Sequence, residues 1–181
     1  MSKKQDIQLL IKKYPLIFKQ HSLPMSQTAM CWGICCGQGW EKLIDNLCGI
    51  LQFDIDNNGY PQIEATQVKE KFGRLCFYYT SIPKAKESIF KLYGFKYIFN
   101  HYYWGYSRGV LKLGCIGIQF FDENLFRQQG VQEGIISVFE DLAGKTCEKC
   151  GKMDVVKQTE GWIVTLCPEC MKEYDKNKNT L

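Results

Sequence analysis

The residues best suited to chemistry in this sequence are four cysteines near its C-terminal end. Cys147 and Cys150 form one CxxC pair, Cys167 and Cys170 form a second, and sixteen residues separate the two pairs. Each pair can aim two thiolates at one ion, and a hairpin between the pairs would bring them together around it. Gly151 follows the first pair directly and permits the positive φ that such a turn often needs. The spacing predicts a zinc ribbon with four cysteine ligands.

Two other uses of these thiols stay open. A CxxC pair can be a redox centre, although that use normally needs one pair at the start of a helix rather than two pairs at ribbon spacing. The thiols could also be unligated core residues. If zinc is bound, four thiolates leave no open position for water, so the ion is expected to hold structure rather than to hydrolyse a substrate.

Three further cysteines, Cys31, Cys35 and Cys36, suggest a second metal site. No fourth ligand stands at a characteristic spacing from them, and packing as small apolar side chains is the commoner use of cysteine. The favoured interpretation for all three is packing in the core or in a loop.

An aromatic run with interspersed basic residues, KLYGFKYIFNHYYWGYSRG at 91–109, is the second chemical feature. It holds eight aromatic rings, and residues 84–112 contain six basic groups against one acid. Rings beside cations suit nucleobases and phosphates together. The candidate ligand-binding residues here are Lys96, Tyr102, Tyr103, Trp104 and Arg108. A half-buried strand or a protein interface would use the same rings, so these alternatives remain.

A second basic cluster is predicted at the tip of a hairpin. Lys69, Lys71 and Arg74 flank the turn and face one acid, Glu70. Such a tip can contact a phosphate, or it can keep the edge of a sheet soluble. Lys71 and Arg74 are therefore candidate phosphate contacts.

Residues for catalysis are not apparent. The stretch DIDNNG at 54–59 matches half of a calcium-binding loop, but the twelfth position falls on Ala65 and a strand is expected to follow. His21 and His101 are the only histidines, and neither has a triad-like neighbourhood in the sequence. Whether the protein is an enzyme stays open, and the sequence favours a binding protein.

The elements that must position these groups follow from periodicity. Apolar residues recur every three or four positions over 40–53 and again over 131–143, which predicts two amphipathic helices, and a shorter one is predicted at 6–13. QIEATQVKEKFGRLCFYYT, at 62–80, alternates as two strands joined around residues 70–73. Further strand candidates lie at 95–100 and 109–121. These elements predict an α+β fold with a small antiparallel sheet, packed helices and a C-terminal four-cysteine zinc ribbon.

Composition sets limits on the setting. The chain has 181 residues, a formal net charge of +4 and ten cysteines. No export signal precedes the first helix, and no run of eighteen apolar residues follows, so we expect a cytoplasmic protein in a reducing compartment with no membrane partner. A modest positive charge is compatible with an anionic partner but does not demand one.

Three stretches resemble a family of small, largely uncharacterised bacteriophage and prophage proteins. Its members carry a GDGW element, then QVKEKFG.LRFY, then CE.CG...GW..TLC. The matching stretches here are CGQGWEKLIDNLCGIL at 36–51, QVKEKFGRLCFYY at 67–79, and TCEKCG with GWIVTLCPEC at 146–170. Gln38 stands where the family usually has an acid, and Cys76 where it usually has arginine. The resemblance implies a phage or prophage setting and no particular reaction.

The predicted organisation is an α+β domain at 1–144, with an aromatic insertion at about 82–130, a zinc ribbon at 145–172 and a polar tail at 173–181. The leading hypothesis is a non-enzymatic, phage-type zinc-binding protein that counters host defence by capturing a nucleotide-like signal or nucleic acid in a bacterial cytoplasm. A protein-protein inhibitor acting on a host protein, or an oligomer of the chain itself, is one alternative. An enzyme that processes a nucleotide is another.

Overall fold

A computed structural model describes residues 9–83, 123–153 and 163–178, together with the backbone of short strands at 106–107, 110–112, 119–121 and 157–158. The aromatic run at 91–109 therefore lies almost wholly outside the described residues. Within them, helices pack on a three-stranded sheet and the four C-terminal cysteines come together, which confirms the predicted α+β class.

The predicted hairpin is the centre of the fold. Strands β2 (Gln62–Lys71) and β3 (Arg74–Ile82) pair antiparallel, with Lys71 opposite Arg74. The two residues between them, Phe72 and Gly73, have φ of 53° and 70°. Two consecutive positive φ values make the type I′ turn that matches the twist of a two-residue hairpin. The Glu70 carboxylate also accepts a hydrogen bond of 2.6 Å from the N–H of Gly73. This bond from a side chain of β2 further stabilises the turn.

A short strand, β1 (Ile34–Cys35), adds to β2 in parallel and gives the sheet order β1-β2-β3. Ile34 lies opposite Val68 and Cys35 opposite Lys69. The sequence predicted only antiparallel pairing, because two residues are too few to show alternation. A shift of register between Ala65 and Gln67 marks a bulge in β2, which bends the strand and increases its local twist.

The helices cover one side of the hairpin. Residues 9–13 (α1) are helical, as predicted for 6–13 as far as the structure describes it. Helix α2 (Glu41–Asn57) is longer than the predicted 40–53 and buries one face against the sheet. Trp40, expected to be helical, instead closes a 3-10 turn before α2 and is completely buried. The buried face of α2 consists of Leu43, Ile44, Leu47, Cys48, Leu51 and Ile55.

Helix α3 (Glu123–Ala143) protects the free edge of the sheet. It packs on β3, and the Glu140 carboxylate accepts a hydrogen bond of 2.7 Å from the backbone N–H of Phe77. The completely buried side chain of Gln132 donates to the carbonyl of Pro61 at 2.9 Å. An uncovered edge strand would offer backbone groups such as the Phe77 N–H to another chain. The helix begins at Glu123, eight residues before the predicted 131 and inside the predicted insertion.

A polar contact ties α1 to α2. Lys13 Nζ lies 2.7 Å from Asp45 Oδ1, and the Tyr14 hydroxyl donates to the same oxygen at 2.7 Å. The hydrogen bond from Lys13 holds the pKa of the Asp45 carboxyl below its ordinary value, although burial acts in the opposite direction. The contact therefore favours the folded state above the ordinary pKa of aspartate, and this contribution is lost as the pH falls through the lowered pKa.

The remaining elements are short. Strands β4 (Tyr106–Ser107), β5 (Val110–Lys112) and β6 (Gln119–Phe121) form a small antiparallel sheet, in which β5 and β6 fall in the single strand candidate at 109–121. Strands β7 (Lys157–Gln158) and β8 (Thr165–Leu166) pair antiparallel, and helix α4 (Pro168–Lys178) follows. The polar tail predicted from 173 is thus helical to residue 178. Among the described helices, none has the length and apolar character to span a bilayer.

Candidate metal centre and hairpin face

The four predicted cysteine ligands come together in space. The Sγ atoms of Cys147, Cys150, Cys167 and Cys170 all lie within 4.8 Å of one another. Cys150 Sγ and Cys167 Sγ are 3.6 Å apart. A tetrahedral ion with metal–sulfur bonds of about 2.3 Å requires its sulfurs to lie about 3.8 Å apart. The cluster therefore has the ligand number and spacing to hold one metal ion.

Local backbone structure aims the thiols. In the first knuckle the N–H of Gly151 donates to the carbonyl of Cys147 at 2.8 Å, and Gly151 has φ of 76°. That φ is unfavourable for a side chain and natural for glycine. In the second knuckle Cys167 directly follows β8, and Cys170 lies in the first turn of α4. Pro168 begins α4, where its missing N–H costs no helical hydrogen bond.

The pKa values of the thiols in the cluster shift in different directions. Burial opposes ionisation of Cys147, but hydrogen bonds from Cys167, Cys150 and Lys149 together outweigh it and lower the pKa of the Cys147 thiol to about 7. Burial raises the pKa of the Cys170 thiol instead. A bound cation favours the thiolate at every ligand position, so metal binding would release protons from the cluster.

The metal module, by which we mean the described residues of 145–172, packs tightly on the segment that precedes α2. Glu148 accepts two hydrogen bonds from it: its carbonyl from the N–H of Gly39 at 2.6 Å, and its carboxylate from the N–H of Gly37 at 2.8 Å. The indole N–H of buried Trp40 donates to the carbonyl of Thr146 at 2.8 Å. A side chain at position 39 would come within 2.5 Å of the backbone nitrogen of Gly151. The backbones therefore approach so closely that only glycine fits.

The same module also contacts the hairpin tip. Thr165, in β8, donates from its hydroxyl to the carbonyl of Gly73 at 2.5 Å. The Thr165 carbonyl accepts from the N–H of Glu148 at 2.8 Å. Thr165 is completely buried. The hairpin turn, the first knuckle and β8 are thus joined by hydrogen bonds, so an ion that holds the knuckles also holds the hairpin tip.

The predicted basic cluster lies on one face of the hairpin. Lys71 and Arg74 are opposite each other and exposed, and Lys69 lies two residues away on the same face of β2. Phe72, at the turn, is 69% exposed, with Lys71 Nζ 5.5 Å from its ring centroid. Among the described residues, no ion pair uses Lys69, Lys71 or Arg74. We call this surface the hairpin face: Gln67, Lys69, Lys71, Arg74, Cys76 and Tyr78.

The other predicted ligand residues cannot be placed beside it. Lys96, Tyr102, Tyr103, Trp104 and Arg108 all lie outside the described residues. Lys71 and Arg74 are brought together as predicted, while their contact with a phosphate stays a prediction.

The alternative metal sites receive no support in the part of the chain that the structure describes, where the quartet alone has the spacing of a metal site. Cys31 Sγ donates to the carbonyl of Thr28 at 3.1 Å, and burial raises the pKa of the Cys36 thiol to about 12. Asp54 and Asp56, from the calcium-like stretch, belong to α2 rather than to a loop. The contacts of Cys31 and Cys36 agree with the packing interpretation of these two thiols, and the helical position of Asp54 and Asp56 does not fit a calcium-binding loop.

The role of Gly37, Gly39 and Glu148 in joining the module to the core was missed by the sequence reasoning. The signal that could have found it is the pair of glycines beside a tryptophan in CGQGW, which indicates close backbone approach.

Comparisons with protein-family models, curated proteins and solved structures found no match to this chain.

Proposed function

We propose that this chain is a non-enzymatic, phage-type binding protein, built on a structural zinc ion, that captures a nucleotide-like signal or nucleic acid and so counters a host defence. The observation that carries the proposal is the hairpin face, where three cations that form no ion pair within the described part of the chain lie beside exposed rings, at a turn joined to the metal module by hydrogen bonds. The phage setting and the bacterial cytoplasm come from the resemblance of three stretches of the chain.

Zinc is the ion that fits the cluster best. Soft thiolate ligands favour zinc over magnesium or calcium, which prefer oxygen. When bound, zinc would cross-link the two knuckles through Cys147, Cys150, Cys167 and Cys170. Because four sulfurs fill a tetrahedral site, no position is left for a reacting water. Its contribution is therefore to folding, and through Thr165 and Gly73 to the position of the hairpin tip.

The ligand would be held by charge and by stacking. Lys71 and Arg74 present a flexible ammonium and a planar guanidinium on adjacent strands, a pairing suited to phosphate oxygens. The rings of Tyr102, Tyr103 and Trp104, with Lys96 and Arg108, are proposed to stack on a base and to add charge from the insertion. Stacking tolerates different bases, because every base presents a π face.

A protein-protein inhibitor is the second candidate function, and exposed aromatic side chains favour it. Trp32 is 67% exposed and Phe72 is 69% exposed. Tryptophan and other aromatic residues are frequent at the centre of protein interfaces. In that case the partner would be a host protein or a second copy of the chain, and the affinity would depend weakly on salt.

The salt dependence of binding separates these two functions. We expect the protein to bind a ten-nucleotide single strand with an affinity that falls as salt rises. The double substitution Lys71→Gln/Arg74→Gln should weaken binding and reduce the slope of log affinity against log salt by about 1.4, since each phosphate contact contributes about 0.7. Fluorescence anisotropy between 50 and 300 mM salt measures this slope.

The control is Lys12→Gln/Lys42→Gln, which removes two exposed lysines from α1 and α2 and should leave the slope unchanged. Nucleotide recovered intact by chromatography after incubation would agree with a non-enzymatic role. An unchanged slope in the Lys71→Gln/Arg74→Gln protein would remove the hairpin tip from the proposal. No binding of nucleotides or strands at any salt would refute the proposal and leave the inhibitor.

A further inference from the structure

A shallow, open hollow lies beside the hairpin face. Its volume is about 490 Å³, and it lies between the segment around residues 20–29 and the middle of the hairpin. Ligand sites in proteins usually measure about 300–1,000 Å³, so this hollow can admit one small ligand. Its principal lining residues are Gln20, Gln27, Thr28, Gln67, Lys69 and Tyr78.

The groups that line the hollow have a particular chemistry. Three of them are side-chain amides, one is the ammonium of Lys69, and none is a carboxylate. Each amide offers two N–H donors and a carbonyl acceptor, the combination that pairs with the edge of a nucleobase. A single cation in a lining that contains no carboxylate favours an anionic ligand. The lining therefore suits a molecule that joins a planar, hydrogen-bonding ring to a negative group.

Lys69 and Tyr78 supply the two strongest elements of this recognition. Lys69 Nζ lies 5.5 Å from the centroid of the Tyr78 ring, and Tyr78 is 44% exposed. Among the described residues, no ion pair engages Lys69. An exposed ring provides a surface on which a base stacks, and an ammonium beside it provides a contact for the phosphate of the same nucleotide.

The wall of the hollow is fixed before any ligand arrives. The Thr28 hydroxyl donates to the carbonyl of Thr66 at 3.2 Å and accepts from the N–H of Met30 at 3.1 Å. The first bond joins the covering segment to β2, and the second fixes the Thr28 side chain within that segment. A site that is already formed loses little conformational entropy when it binds.

We propose that this hollow binds one nucleotide, with its base against Tyr78 and the glutamine amides and its phosphate on Lys69. The proposal rests on the proposed function for the class of ligand, and it places that ligand in the hollow, on side chains that the structure describes. Lys71 lies about 7 Å farther along β2 on the same face. A neighbouring phosphate of a nucleic-acid strand would thus meet Lys71 and Arg74, whereas a free nucleotide would use the hollow alone.

The test uses the whole protein and two kinds of probe: the four ribonucleoside 5′-monophosphates, and a ten-nucleotide single strand. Isothermal titration of the Tyr78→Ala and Lys69→Gln proteins should show binding weakened by about five- to hundredfold, as expected when a stacked base or a phosphate contact is lost. Tyr78→Phe keeps the ring and should bind like the unchanged protein. Lys42→Gln, which removes an exposed lysine from α2, is the matched charge control.

The outcomes separate this inference from the proposed function. Loss of monophosphate binding in Lys69→Gln and Tyr78→Ala supports a free nucleotide in the hollow, and loss of strand binding alone supports a nucleotide within a strand. Binding of either probe that both variants leave intact overturns the hollow as the site while the proposed function stands. No binding of either probe to the unchanged protein overturns both. Unchanged thermal unfolding of each variant shows that a loss of binding is not a loss of fold.

Discussion

The Cys150→Ser protein is expected to bind no stoichiometric metal and to lose the folded structure of its C-terminal module. The buried core of that module consists of Leu166 and three of the four cysteines, with Val164, Met171 and Tyr174 packed partly against it. So small a core cannot offset the entropy of ordering the chain. A structural zinc site contributes about 10–16 kcal/mol of binding free energy, and loss of one thiolate removes much of it.

The effect should extend beyond the module. Because Thr165 and Glu148 hold Gly73, Gly37 and Gly39, hydrogen exchange at the N–H groups of Gly37 and Gly39 should rise in Cys150→Ser. Cys35→Ser is the control, since Cys35 is an exposed thiol outside the cluster, and its stability should change by no more than about 0.5 kcal/mol. A Cys150→Ser protein with full metal content and unchanged exchange would contradict the account.

The second large effect is expected for Gly39→Ala. The added methyl group would come within 2.5 Å of the Gly151 backbone nitrogen. Real Cβ atoms essentially never lie closer than 3.0 Å to such an atom. The obstacle is backbone rather than a flexible side chain, so the module must move away from α2. Overpacking of this kind costs about 3 kcal/mol. The hydrogen bond from Gly39 to Glu148 and that from Trp40 to Thr146 should weaken together.

Chemical denaturation monitored by tryptophan fluorescence measures this loss, and a zinc-chelator competition measures any loss of metal affinity. Gly134→Ala is the matched control: Gly134 lies exposed in α3, and no atom beyond its chain neighbours and its own helical turns stands within 4 Å of an added Cβ. Alanine in a helix is more favourable than glycine, so this control should gain about 0.5–1 kcal/mol. Equal stability of the Gly39→Ala protein and the unchanged protein would show that the module does not pack as described.

Local signals in the sequence predicted much of this structure. The CxxC spacing predicted that four thiols would meet, and the alternation around residues 70–73 predicted the hairpin that the structure shows. The periodicity of α2 predicted its buried face. Each of these features depends on residues close together in the chain, or on two CxxC pairs that must come together to bind one metal ion.

The features that were not predicted depend on distant residues or on weak local signals. Gly37 and Glu148 are 111 positions apart, and no periodicity records their hydrogen bond. The start of α3 was placed too late, because the residues after Glu123 are mostly polar and include Gly130. The segment from 173 was predicted only as a polar tail, yet Pro168 begins a helix that continues to Lys178. The chemistry of the hollow combines β2 and β3 with a covering loop, which only the folded chain brings together.

The central claim is that one zinc ion closes the four-cysteine cluster and thereby holds the hairpin face. Native mass spectrometry of freshly purified, reduced protein, with elemental analysis of the same sample, tests it most directly. The account predicts one zinc per chain in the unchanged protein and none in the Cys150→Ser protein. Unchanged protein that is folded and carries no metal would contradict it.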